Sequence, residues 1–195
     1  NLIESRDGST GLHVKNTQNY VQILTKALRE KGMYPDILDH NYELNTVKAS
    51  VLHDIGKIKT PDAILLKPGR LTDEEFEVMK QHTVAGCEII DRIIGNVEHE
   101  EYVDIARKIA RYHHERWDGT GYPDGLSGEE IPLCARIMAL ADVFDALYQD
   151  RCYKKAIRPA SKVFEIIKEN SGSQFDPNLT EIFLELQREI TDISE

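Results

Sequence analysis

Pro132-Leu133-Cys134-Ala135-Arg136-Ile137-Met138-Ala139-Leu140-Ala141-Asp142-Val143-Phe144-Asp145-Ala146-Leu147 decides the fold. Pro132 suits the first turn of a helix, where a missing N–H costs no hydrogen bond. Leu133, Ile137, Leu140, Phe144 and Leu147 then form a core stripe at helical spacing. A carboxylate, Asp142, interrupts this strongly apolar segment, and it is either a helix-surface residue or a group aimed at a buried partner. Asp145, one turn on, competes with it for the second role by spacing alone.

The same periodicity runs outward from that helix. Over residues 12–31, His13, Thr17, Tyr20, Leu24 and Leu28 share a face, and Gly32 and Pro35 close the helix. A second helix is predicted from Leu44, Val47 and Val51, ending near Asp54 with Gly56 as its C-cap. Residues 57–71, punctuated by Pro61, Pro68 and Gly69, read as a connecting segment. Thr72-Asp73-Glu74-Glu75 is a capping box that starts a helix through about Ile94. Another helix runs from about Glu98 to His113, and two more cover 159–170 and 177–191, separated by Ser171-Gly172-Ser173. Strand-like alternation is almost absent, and no repeat or inter-domain linker divides the chain. Residues 1–195 therefore read as a single all-α domain.

The net charge of −10 argues against a DNA-binding protein or an anionic-membrane binder. Basic residues nevertheless gather at Lys57, Lys59, Lys67 and Arg70, and again at Arg151, Lys154, Lys155 and Arg158, so an anionic small molecule remains compatible. Cys87, Cys134 and Cys152 are odd in number and widely spaced, which fits free thiols and a cytoplasmic location. No apolar run approaches the roughly 20 residues of a membrane span. The chain opens on Asn1, which gives the expectation of a domain excised from a longer multidomain protein.

Of the seven histidines, His40 and His99 sit in polar surroundings and read as surface residues. His13, His53, His82, His113 and His114 fall on or at the ends of apolar helical faces and should point inward. Buried imidazoles need partners, and a shared metal centre supplies them at once. Asp54 directly follows His53, so one helix end offers nitrogen and oxygen ligands and a carboxylate able to bridge two ions. Imidazoles with carboxylates and no thiolate suit iron, manganese, nickel, cobalt or zinc.

The residues that carry this chemistry form an ordered set: His53-Asp54-Ile55-Gly56-Lys57, Ile64 through Thr72, His82, His113-His114 through Gly121-Tyr122-Pro123, Ala141 through Leu147, and Phe175-Asp176-Pro177. With that set the chain resembles the HD-GYP subgroup of the HD-domain metal-dependent phosphohydrolases, over nearly its whole length. The resemblance implies an HD-domain helical bundle with extra C-terminal helices and a GYP loop. It implies a phosphodiesterase that opens cyclic di-GMP to linear pGpG, or on to GMP, by attack of a metal-activated hydroxide. It also implies a receiver or sensory domain upstream in the full-length protein.

Carried over by motif, His13, His53, Asp54, His82, His113, His114 and Asp142 are the metal ligands, which resolves the tie in favour of Asp142 and leaves Asp145 to a supporting or packing role. Asp54 and Lys57 are the catalytic pair, and Lys57, Tyr122, Arg151 and Lys154 contact the substrate. Trp117 either stacks on a base or packs beneath the loop. Some members carry a glutamate four residues before the first ligand histidine, where it helps hold a third metal. Here that position is Ser9, with Glu4 and Asp7 nearby but out of register, so two divalent ions are expected, iron, manganese or nickel foremost. Two alternatives accompany this reading: a phosphodiesterase for 3′,3′-cyclic GMP–AMP, and a catalytically weak nucleotide-binding sensor or adaptor.

Overall fold

The computed structural model describes residues 11–94, 100–149 and 156–194. Helices α1 (Gly11–Glu30) and α2 (His40–Ala49) are followed by two 3₁₀ turns, Ser50–Leu52 and Ile55–Lys59, and by the short α3 (Asp62–Leu65). Then come α4 (Asp73–Ile94), α5 (Glu100–Tyr112), a 3₁₀ turn at Gly128–Glu130, α6 (Leu133–Tyr148), α7 (Ala160–Glu169), α8 (Pro177–Glu185) and α9 (Gln187–Ser194). Among the described residues there is no strand, only an isolated bridge between Ser171 and Phe175. The all-α expectation holds.

Helix α6 is the axis. Leu133, Ile137, Leu140 and Phe144 of the predicted stripe are buried, and so are residues all around the helix, including Cys134, Met138 and Ala141. A helix apolar on every side must be enclosed by others, and α1, α5 and α7 pack around this one. Phe144 is the hub: Tyr20 meets it edge-on at 5.1 Å, Phe164 lies 4.9 Å away and Phe183 5.6 Å away. Aromatic rings at such angles add to the stabilisation from area burial alone. These contacts draw α1, α7 and α8 onto α6.

The capping box forms as predicted. Thr72 N–H donates to Glu75 Oε2 at 2.7 Å, and Glu75 N–H donates to Thr72 Oγ1 at 3.3 Å. Four expectations are corrected. Helix α2 ends at Ala49 and buries Glu43, Thr46 and Ala49, whereas Leu44 and Val51 are exposed. Leu44 lies one residue off the buried Glu43–Thr46–Ala49 face, and Val51 falls out of phase because the chain tightens at Ser50 into a 3₁₀ turn, with three residues per turn in place of 3.6. Gly56 is not a C-cap but lies inside the Ile55–Lys59 turn. Segment 57–71 carries the α3 turn, and the predicted 177–191 helix breaks at Leu186 into α8 and α9.

A buried ion pair ties the C-terminal helices to this frame. Arg136 Nη1 of α6 donates to Asp176 Oδ2 at 2.6 Å, both side chains being almost wholly enclosed. Asp176 Oδ1 caps α8 by accepting from Asn178 N–H at 2.8 Å. Removing one partner of such a pair strands a buried charge, so Asp176→Ala is expected to cost about 3–5 kcal/mol of unfolding free energy, measured by urea denaturation.

Candidate metal centre

Five histidines reach one region from four places in the chain: His13 on α1, His53 after the first 3₁₀ turn, His82 on α4, and His113 and His114 just past the end of α5. His13, His53, His82 and His113 are buried. Three of them are held the same way. His53 Nδ1 donates to Ser50 O at 2.8 Å, His82 Nδ1 to Met79 O at 2.8 Å, and His113 Nδ1 to Ile109 O at 2.9 Å. A carbonyl only accepts, so the proton sits on Nδ1 and, in the neutral ring, Nε2 carries the free lone pair.

Those Nε2 atoms converge on Asp54. Its Oδ1 is 3.5 Å from His82 Nε2 and 3.8 Å from His113 Nε2, while its Oδ2 is 3.3 Å from His53 Nε2. Asp54 Oδ1 and the Nε2 atoms of His53, His82 and His113 are all buried and accept or donate no hydrogen bond. Buried polar atoms left in this way are costly, and their arrangement is what a cation needs. Ligand atoms of Asp54, His82, His113 and His114 lie within 4.8 Å of one another, as do those of His13, His53 and Asp54. The two groups share Asp54, and the donors of each are of a kind that could hold a metal ion.

His13 takes an aspartate on each nitrogen. Its Nδ1 is bonded to Asp145 Oδ2 at 2.6 Å, and its Nε2 lies 3.5 Å from Asp142 Oδ1. Asp145 in turn accepts from Asn16 Nδ2 at 3.1 Å. A carboxylate behind a histidine fixes the ring and raises its basicity, so Asp145 orients His13 while Asp142 faces the cluster.

Electrostatics favour neutral imidazoles at His82, His113 and His114, and ionised carboxylates at Asp54 and Asp142. Burial pushes His113 well below its ordinary value, helped by the neighbouring His114 and His53, and burial brings His114 down to about 4. Burial also lowers His82. For His53, burial is outweighed by Asp54 and Asp142, and the net shift is upward. Asp54 experiences burial as an upward push, but Lys57, His53 and His82 hold its carboxyl well below the usual range. Lys57 Nζ lies 2.7 Å from Asp54 Oδ2, at the edge of the cluster.

Gly56 sets how closely the first two segments approach. A Cβ built there would lie 1.8 Å from His82 O and 2.5 Å from Gly86 N, both backbone atoms of α4. The turn that carries His53 and Asp54 is thereby pressed against the helix that carries His82.

The Gly-Tyr-Pro loop closes the site on the His114 side. Tyr122 N–H donates to His114 O at 3.2 Å, and the two rings stack at 4.9 Å. Gly121 lies so close to the chain before it that a Cβ would fall 2.4 Å from Arg116 N. Burial, with Asp54 and Asp142 nearby, raises Tyr122 and keeps its hydroxyl protonated. Trp117 is half-buried, its backbone N–H donating to Gln174 O at 3.2 Å and its ring 5.8 Å from the Arg136 guanidinium.

Sequence reasoning missed Glu115. This buried carboxylate accepts from Asp124 N–H at 2.8 Å and Gly125 N–H at 3.0 Å through Oε1, and so holds the loop's far end. The available signal was chemical: a glycine-rich loop needs acceptors for its own N–H groups, and Glu115 stands at its entrance. Arg151, Lys154, Ser9, Glu4, Asp7, His99 and Cys152 lie outside the described residues. Cys87 and Cys134 are free thiols. Among the described residues no helix is long and apolar enough to cross a membrane.

Against known proteins, the family model of the HD domain matches residues 11–179. A cyclic di-GMP phosphodiesterase of Vibrio cholerae is 46% identical over 196 residues, covering 99% of this chain and 39% of that protein. A 3′3′-cGAMP-specific phosphodiesterase 2 of the same organism is 37% identical over 185 residues, covering 95% of this chain and 33% of that protein. The chain thus spans well under half the length of these curated relatives. An HDG"Y"P protein from Bdellovibrio bacteriovorus has the same fold, with a TM-score of 0.62 at 17% identity over 88% of this chain and 51% of that one.

Two substitutions probe the geometry without touching a ligand-bearing residue. Gly56→Ala is expected to destabilise the protein by about 3 kcal/mol through overpacking against backbone, with loss of metal uptake, read by thermal denaturation and metal analysis. Asp145→Asn should lower metal affinity by about 10- to 100-fold, read by titration with a competing chelator.

Proposed function

Because this chain belongs to the HD domain family, and within it to the HD-GYP group, we propose that it is a metal-dependent phosphodiesterase that hydrolyses cyclic di-GMP to linear pGpG, with GMP the product of a second cleavage. The observation that carries this reading is the set of buried, unpartnered Nε2 atoms on His53, His82 and His113 facing a carboxylate that belongs to both ligand groups. We assign His13, His53, Asp54, His82, His113, His114 and Asp142 to two divalent ions, with Asp54 common to both. When bound, the ions supply an activated water and accept charge building on the phosphoryl oxygens.

The reaction is hydrolysis: an oxygen from water joins phosphorus, the bond to the ribose 3′-oxygen breaks, and a proton ends on that oxygen. The chain's own residues position the diester. Lys57, 2.7 Å from Asp54, places an ammonium beside the ligand groups for a non-bridging phosphate oxygen. One cation of this kind matters because each phosphate of the diester carries a single charge. Arg151 and Lys154 are assigned to the same task. Tyr122, whose ring stacks on His114 beside the ligand groups, is assigned to contact the substrate.

Imidazole and carboxylate donors without a thiolate suit iron, manganese or nickel, as they suit cobalt or zinc. The greater length of the curated relatives supports a receiver or sensory domain as the partner of this one in the full-length protein. A second reading, hydrolysis of 3′,3′-cyclic GMP–AMP, is favoured by the relative that carries that specificity in its name.

Turnover of both dinucleotides by protein loaded with each metal, with product analysis, tests the substrate assignment. Equal or faster cleavage of cyclic GMP–AMP would replace the first reading by the second. The double variant His53→Ala/Asp54→Ala is expected to lose bound metal and to fall below detectable hydrolysis. Wild-type metal content or turnover in that variant would refute the site assignment.

A further inference from the structure

We propose that Phe76 and Lys80 form the subsite for a guanine base of the substrate, Phe76 as the stacking platform and Lys80 as the donor to the base edge. The inference rests on the cyclic dinucleotide reading given above and adds residues outside every motif that supports it.

Phe76 is 44% exposed, and it is not an isolated surface residue. It stands edge-on to Tyr122, with ring centroids 6.0 Å apart at 84°. Tyr122 stacks on His114, and His114 lies 5.1 Å from His82. A continuous series of rings therefore runs from the ligand groups outward to Phe76. A phosphate held at the cluster leaves its nucleoside reaching along such a wall, because the sugar separates base from phosphate by a comparable span.

Lys80 follows one turn after Phe76 on α4 and stands over both rings, its Nζ 5.3 Å from the Phe76 centroid and 5.7 Å from the Tyr122 centroid. Glu77 Oε1 lies 2.5 Å from the ammonium, which has three N–H donors and can serve a further acceptor. A partly exposed aromatic ring beside an oriented cation is suited to a nucleobase, since stacking on aromatics is tolerant of base identity and an ammonium is not. Guanine presents two acceptors, O6 and N7, on one edge; adenine presents N7 beside an N–H donor that a lysine cannot satisfy. Phe76 therefore supplies affinity, and Lys80 supplies preference for guanine.

The test uses a cyclic dinucleotide containing one 2-aminopurine, whose fluorescence is quenched on stacking, alongside steady-state turnover of cyclic di-GMP and cyclic di-AMP. Wild-type protein should quench the probe. Phe76→Leu, which keeps the apolar volume and removes the π face, should lose the quenching and raise KM for cyclic di-GMP on the order of 5- to 100-fold. Phe76→Trp should restore both readouts. Lys80→Met should keep the quenching and narrow the guanine-over-adenine ratio of kcat/KM. A Phe76→Leu protein, folded by circular dichroism, with wild-type quenching and KM would overturn the subsite while leaving the phosphodiesterase reading intact. Absence of both quenching and turnover in metal-loaded wild-type protein would instead overturn the reading on which it rests.

Discussion

Everything at the site depends on a short-range hydrogen bond made three times. His53, His82 and His113 each donate Nδ1–H to a carbonyl three or four residues earlier, at Ser50, Met79 and Ile109. These bonds form within one turn of chain and need no distant partner, so each ring's tautomer and orientation are settled locally. Long-range packing then has one task, to bring three pre-oriented Nε2 atoms to Asp54. The task is demanding because it must be met in a buried region, where unpartnered nitrogens are costly. The bound ion relieves that cost, which links metal occupancy to the stability of the fold.

The helix-to-helix distance at the site comes from the absence of side chains as much as from their presence. Gly56 and Gly86 meet backbone to backbone, and the Ala110 Cβ completes the contact at 3.2 Å from a Cβ built on Gly86. With that spacing fixed, the charges arrange themselves. Asp54 and Asp142 stay ionised against burial because imidazoles, and for Asp54 also Lys57, surround them. The result is a local field unlike the −10 of the whole chain: cations filling the ligand groups would place positive charge inside an acidic protein.

This division explains what was legible in the sequence. Helix α6, the Thr72–Glu75 capping box and the inward-facing histidines could be read because each signal lies within one or two turns of chain. Gly56 was misread because a glycine needed for close approach and a glycine needed for a helix cap are the same letter; only the position of α4 distinguishes them. The stripe on α2 failed at Leu44 because the helix buries the adjacent Glu43, Thr46 and Ala49 face, and at Val51 because a 3₁₀ turn changed the phase beyond Ala49. Asp142 and Asp145 could not be separated by spacing, since positions three apart share a helical face. In the fold both approach His13, one on each nitrogen, so the ambiguity in the sequence reflects two aspartates facing one histidine.

The Phe175-Asp176-Pro177 segment carries no chemistry of its own and sits far along the chain from every metal-site residue. Its connection to the site is mechanical. Asp176 holds Arg136, whose guanidinium lies against Trp117, while the backbone carbonyls of Ser173 and Gln174 accept from Asp118 and Trp117. Trp117 and Asp118 open the loop whose other end is held by Glu115, and Tyr122 between them is stacked on His114. The C-terminal helices thus act as the anchor for the loop over the site. A bundle ending at α6 would keep the whole histidine and aspartate cluster and lose the support beneath Tyr122, which is why the loop, unlike the cluster, depends on the C-terminal helices.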